Sequence, residues 1–127
     1  MTPEEFVNLS YAEKRALAIS HTTSPEILDM LAKDAKSEPF SYIADNPNTS
    51  PETLDFLARG DHEHMRGWIA VNPNLSQESL NLFLVADEKF HVRYMVAKYA
   101  KNLTIDQLVQ LGQDIHHVVR NAALERL

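Results

Sequence analysis

Apolar residues recur along this chain in short helical bursts separated by polar turns. Ile27, Leu28 and Leu31 form one burst, Leu54, Leu57 and Ala58 a second, Leu80, Phe83 and Leu84 a third, and Leu108 and Leu111 a fourth. The three- and four-residue steps put each set on one face of a helix. Between them lie shorter apolar groups, Tyr42-Ile43-Ala44, Trp68-Ile69-Ala70 and Met95-Val96-Ala97, each predicting a second, shorter helix. Strand-like alternation bounded by turn residues does not occur, so the pattern predicts an all-α chain.

The helix boundaries are also written in the sequence. Ser24-Pro25 and Ser50-Pro51 place a capping hydroxyl ahead of a proline at the first helical position, where no amide partner is lost, and Ser76-Gln77 keeps the serine. Glu26, Glu52 and Glu78 then fall in the first turn, where the helix dipole favours negative charge. Ser10 with Glu13 and Thr104 with Gln107 have the spacing of capping boxes. Asn46-Pro47 and Asn72-Pro73 end the shorter helices, because the residue before proline is pushed out of the helical region.

These bursts belong to a repeat. Segments beginning at Leu17, Ile43, Ile69 and Val96 align, and their shared alanines, Ala18, Ala44, Ala70 and Ala97, are 26, 26 and 27 residues apart. A further turn of the pattern begins at Ala123. One such helix pair cannot bury its apolar face alone, whereas stacked neighbours can. The expected architecture is therefore a single helical-repeat domain over 1–127, with capping helices at 1–16, about four repeats of 26–27 residues over 17–121, and a truncated last helix at 122–127.

The stretches I-A-D-N-P-N-T-S-P-E-T-L-D-F-L-A at 43–58 and I-A-V-N-P-N-L-S-Q-E-S-L-N-L-F-L at 69–84 resemble the variant leucine-rich repeat family of bacteria. The resemblance covers residues 17–120. The outer copies depart from it, with Ser20-His21-Thr22-Thr23 and Tyr99-Ala100-Lys101-Asn102 in place of the Asn-Pro turn. It implies a right-handed α-solenoid of alternating α and 3₁₀ helices, and no enzymatic activity or single ligand. HEAT-like repeats, with longer helices, are the neighbouring architecture. The cysteine-rich iron–sulfur segment associated with the family's prototype has no counterpart here, because the chain contains no cysteine.

The same absence of cysteine excludes disulfides, thiolate nucleophiles and Cys-based zinc sites. No apolar stretch approaches the roughly 20 residues that span a bilayer, and the start, MTPEEF, is acidic where a secretory signal is basic, so a cytoplasmic protein without membrane contact is expected. The net charge of -6 is uneven: residues 1–64 carry 12 acidic against 5 basic residues, and residues 65–127 carry 6 against 7. An acidic half suits a basic partner or a mimic of nucleic acid.

Candidate chemistry is sparse. Three aligned arginines, Arg66, Arg93 and Arg120, form a stripe that either grips phosphates and acidic side chains or pairs with Asp61, Asp87 and Asp114, which lie five or six residues before them. Pairing that ties the repeats together is the preferred reading. The first copy keeps Asp34 and has Phe40 in the arginine position. Trp68 aligns with Tyr42 and Met95; core filling is favoured over an exposed row of Tyr42, Trp68 and Tyr94. His62, His64, His91, His116 and His117 fall in equivalent inter-helix segments, without the spacing of a metal motif. With three glycines and no phosphate loop, nucleophile elbow or paired carboxylates, neither enzyme activity nor a cofactor or metal is expected.

The sequence therefore points to a non-catalytic binding or scaffold module whose partner is a protein. Homodimerisation is a variant of that reading, and Arg66, Trp68, Arg93, Arg120 and Lys98 are the candidate contacts. The alternatives are nucleic-acid binding along the arginine stripe, with Lys98 and Lys101, and an acidic nucleic-acid mimic built from the first half.

Overall fold

The computed structural model describes residues 1–34, 40–60, 63–80 and 85–127. Among these the chain is all-helical, with no strand: α1 (Pro3–Val7), α2 (Tyr11–Ile19), α3 (Pro25–Lys33), α4 (Phe40–Asp45), α5 (Pro51–Ala58), α6 (Glu63–Ile69), α7 (Gln77–Ser79), α8 (Phe90–Tyr99), α9 (Ile105–Leu111) and α10 (His117–Leu124). The helix starts fall where the sequence puts them. Ser24, Ser50 and Ser76 accept the amides of Ile27, Thr53 and Ser79 at 3.3, 3.2 and 3.1 Å. Both capping boxes close, Ser10 with Glu13 and Thr104 with Gln107.

The helices are α-helices. A bond three residues back occurs at the ends of α4 and α6, from Asn46 to Ile43 (3.2 Å) and from Asn72 to Ile69 (3.0 Å), only as a closing turn. The alternation of α and 3₁₀ helices implied by the family resemblance is thus absent from the described residues. The four-residue-back bonds that build α4 and α6 are satisfied before the proline turn, which leaves one amide to tighten after α4 and two, those of Val71 and Asn72, after α6.

Packing runs in sequence order. α2 lies on α4, α4 on α6, α6 on α8 and α8 on α10, with α3, α5 and α9 against the same row. Leu28, Leu31, Ile43, Leu54, Ile69, Leu80, Val92, Val96, Leu111 and Val119 are fully buried between them. Phe83 and Leu84, expected to complete the third burst, lie outside the described residues. Burying one such side chain contributes roughly 1.5–3 kcal/mol, against about 1 kcal/mol for a cap. Helices of seven to ten residues, such as α9 and α8, are too short to persist alone and depend on this core. Ser50→Ala is accordingly expected to cost about 1 kcal/mol of unfolding free energy, measurable in a thermal melt, with the folded circular-dichroism spectrum unchanged.

Polar seams join the same helices. Asn46 is buried and donates its side-chain amide to the carbonyls of Ala18 (2.8 Å) and Ser20 (2.9 Å), while its Oδ1 accepts the amide of Asn48 (2.9 Å). Asn72 does the same one copy later, donating to Ala44 (2.8 Å) and Asn46 (3.1 Å) and accepting from Asn74 (2.9 Å). At the corresponding point after α8 stands Ala100, which is buried and has no side-chain amide to give. After α10 the work falls to Arg126, whose guanidinium donates to the carbonyls of Ala97 (2.8 Å) and Ala100 (2.7 Å). A second seam runs along the longer helices: Thr53 donates to Asp29 at 2.7 Å, and Ser76 (3.0 Å) and Ser79 both donate to Asp55.

Candidate interaction surface

The arginine stripe takes its shape from the segments that precede the even-numbered helices. Asp87 and Asp114 each accept the amide two residues on, that of Lys89 (3.0 Å) and His116 (2.9 Å), just before α8 and α10 begin. This turn aims the Asp87 carboxylate back toward α6 and the Asp114 carboxylate back toward α8. There Arg66 meets Asp87 with Nε–Oδ2 at 2.6 Å and Nη2–Oδ1 at 3.1 Å, and Arg93 meets Asp114 at 2.7 and 3.1 Å. Both are two-pronged, charge-assisted pairs, with the arginine side chains only 12% and 13% exposed. Partial burial works against the charge on Asp114, but the Arg93 hydrogen bond and then the His116 amide outweigh it and hold the carboxyl below its ordinary value.

Pairing is therefore the use to which Arg66 and Arg93 are put, but with different partners from those the sequence suggested. Arg93 does not take the carboxylate of Asp87 six residues before it; its Nη1 donates to the Asp87 backbone carbonyl at 2.7 Å. Each carboxylate instead belongs to the arginine twenty-one residues earlier. The six-residue separation is spanned by a bond to the backbone carbonyl, as it also is from Arg66 to Gly60 (3.1 Å). Asp34 follows the same rule and is held by Lys14 at 2.6 Å, one copy before the Phe40 position. Asp61 lies outside the described residues. Arg120 retains the carbonyl contacts, from Nη1 to Asp114 (2.9 Å) and Ile115 (3.1 Å).

Trp68 is 51% exposed and Tyr42 37%, so neither fills the core as expected. The core is filled by the pairs that follow them, Ile43-Ala44 and Ile69-Ala70, and the preceding aromatic is turned outward. Met95, before the buried pair Val96-Ala97, is half-buried. Arg15 on α2 donates to the Tyr42 hydroxyl at 2.9 Å and lies over its ring at 5.1 Å. Arg15, Tyr42 and Trp68 thus sit on three successive packed helices, α2, α4 and α6.

Lys98, exposed on α8, donates to the Tyr94 hydroxyl at 2.9 Å and lies 5.5 Å from the rings of both Tyr94 and Tyr99. The hydrogen bond to Tyr94, followed by the charge interactions with both phenols, holds its ammonium above the ordinary lysine value. Tyr94, Lys98, His117, Asn121 and Glu125 border a shallow hollow of about 230 Å³ between α8 and α10. None of Arg66, Arg93 and Arg120 lines it.

The histidines are only partly brought together. His116 stacks on Phe90 at 3.9 Å and on His117 at 5.2 Å, while His91 stands edge-on to Phe90 at 6.1 Å. His116 Nδ1 accepts the Val118 amide at 3.3 Å, closing the start of α10. His62 and the side chain of His64 lie outside the described residues. Among those described, no three His, Asp or Glu side chains are grouped as metal ligands, and no helix is long and apolar enough to cross a membrane.

Compared with known proteins, the chain matches no family model, no curated protein and no solved structure.

Proposed function

We propose that this chain is a short right-handed helical-repeat solenoid, similar to the variant leucine-rich repeat proteins, that acts as a non-catalytic module and captures a protein partner on the stripe of Arg15, Tyr42 and Trp68. The observation that carries the proposal is the exposure of Trp68, the only tryptophan, beside the outward row of Tyr42 and Arg15. The few residues that carry most of the binding energy at protein interfaces are enriched in tryptophan, tyrosine and arginine. The repeat architecture is supported by the packing of α2, α4, α6, α8 and α10 in order and by the asparagine bonds that recur with the sequence period.

The acidic character of residues 1–64 favours a partner with a basic face, since the stripe lies in or next to that half. The nucleic-acid reading relied on Arg66, Arg93 and Arg120 together. Two of those three are engaged with carboxylates, which removes the anchors a phosphate backbone needs.

Affinity capture of the tagged chain from extract of its source cells, with and without nuclease, tests the proposal. Trp68→Ala is expected to weaken capture of the nuclease-resistant partner roughly 30-fold, about 2 kcal/mol, with the thermal melt unchanged. A partner lost on nuclease treatment, or one held equally by Trp68→Ala, would refute it.

A further inference from the structure

Arg66 and Arg93 each divide their guanidinium between two acceptors. Nη1 donates to the carbonyl six residues earlier, that of Gly60 (3.1 Å) or Asp87 (2.7 Å), and the Nε–Nη2 edge grips the carboxylate of the segment that follows. Arg120, the third of the aligned arginines, keeps the first half of this arrangement, with Nη1 on the Asp114 and Ile115 carbonyls. Among the described residues, no hydrogen bond or ion pair engages its Nε–Nη2 edge. The guanidinium is anchored through one nitrogen, and the edge that holds carboxylates in the two preceding copies is open.

Two large apolar residues close to Arg120 in sequence are exposed. Ile115, whose carbonyl takes one of the bonds, is 92% exposed, and Leu124, one helical turn beyond Arg120, is 53% exposed. We propose that the open edge of Arg120 is a docking site for an aspartate or glutamate on a partner protein, with Ile115 and Leu124 covered by apolar residues beside that carboxylate. A planar carboxylate matches the Nε–Nη2 fork in two parallel bonds, as Asp87 and Asp114 do within the chain. The exposed isoleucine and leucine favour a protein side chain over a hydrated phosphate, and a net charge of -6 opposes a polyanion. The internal carboxylates also indicate how the ligand is presented, since each accepts the amide two residues on, just before a helix. The partner is thus expected to carry its acidic residue at a helix entrance next to apolar side chains. This site is independent of the Trp68 stripe.

The test follows the arginine Nε–H resonances of the folded 127-residue chain by NMR. The probe is a blocked peptide copying residues 108–119, which carries Asp114 in its native context. Saturable movement of the Arg120 signal is expected, with those of Arg66 and Arg93 unmoved, and Asp114→Asn in the peptide should weaken the effect roughly tenfold or more. Arg120→Lys keeps the charge but loses the fork and should bind little better than Arg120→Gln, while Trp68→Ala should bind the probe as the parent chain does. A static Arg120 signal, an equal response to the asparagine peptide, or an equal response to inorganic phosphate would overturn the proposal. So would a dimer in sedimentation velocity that Arg120→Gln dissolves, because the carboxylate would then come from a second copy.

Discussion

Replacing Asn72 with alanine is expected to lower the unfolding free energy by about 3 kcal/mol, and so the melting temperature by on the order of 10 °C. The side chain is buried and makes three hydrogen bonds. After the substitution the Asn46 carbonyl keeps the Thr49 amide at 3.1 Å, but the Ala44 carbonyl and the Asn74 amide lose the group that satisfies them. Asn72→Asp should be worse at neutral pH despite its identical shape. A carboxylate there would face two carbonyl oxygens with no proton to offer, and burial penalises its charge further. That aspartate would have a raised folded-state pKa, so the variant should regain stability as pH falls and lose it as pH rises past the unfolded value. Chemical denaturation of both variants at neutral and mildly acidic pH checks the order; a variant within about 0.5 kcal/mol of the parent would mean the seam contributes little.

Arg93→Gln is the second large effect, at about 3 kcal/mol, near the lower end for a broken buried pair because both side chains keep some contact with water. It leaves the Asp114 carboxylate without its two-pronged partner and the Asp87 carbonyl without a donor. The pH dependence identifies the cause. In the parent chain the Asp114 carboxyl is held below its ordinary value of 3.8, so the pair stabilises above that value and its contribution is lost as pH falls through the lower folded-state value. In Arg93→Gln the arginine's share of that depression is removed while the His116 amide still acts, and the gap between the two proteins should narrow as pH drops below about 4. A double-mutant cycle with Asp114→Asn should return a coupling of roughly 1 kcal/mol or more. If Arg93→Gln instead melts with the parent and loses only a ligand, the arginine serves binding.

These two sites mark how far the sequence could be followed. Helix starts were legible because a cap is local: Ser24, Ser50 and Ser76 each serve an amide three residues away. The apolar bursts were legible for the same reason, and Leu28, Leu54, Leu80 and Leu108 are all buried. The asparagines were read only as helix terminators, since their reach to carbonyls 26 and 28 residues earlier exists only once successive copies have packed. Arg126 was invisible for this reason, with nothing nearby in sequence to mark it. The Asp–Arg relation was visible as a pattern but assigned to the nearer pair. The interval of twenty residues between Lys14 and Asp34 was the available clue, because it matches the twenty-one of Arg66 and Asp87. Trp68 was misplaced because its helix offers the core Met65 and Ile69, four residues apart, and the tryptophan before Ile69 falls off that face.

The asparagine seam has a direction. Asn46 and Asn72 each give their side-chain N–H groups to carbonyls of the segment before them, and the Asn46 carbonyl in turn receives Asn72. The two asparagine turns are therefore complementary in one sense only, donors facing back along the chain and carbonyls facing forward. The register tolerates slippage as well: the Ala100 amide bonds four residues back to Val96, where Asn46 and Asn72 bond three back, and the extra residue is absorbed within that turn while Asn102 still reaches the Pro73 carbonyl at 3.0 Å.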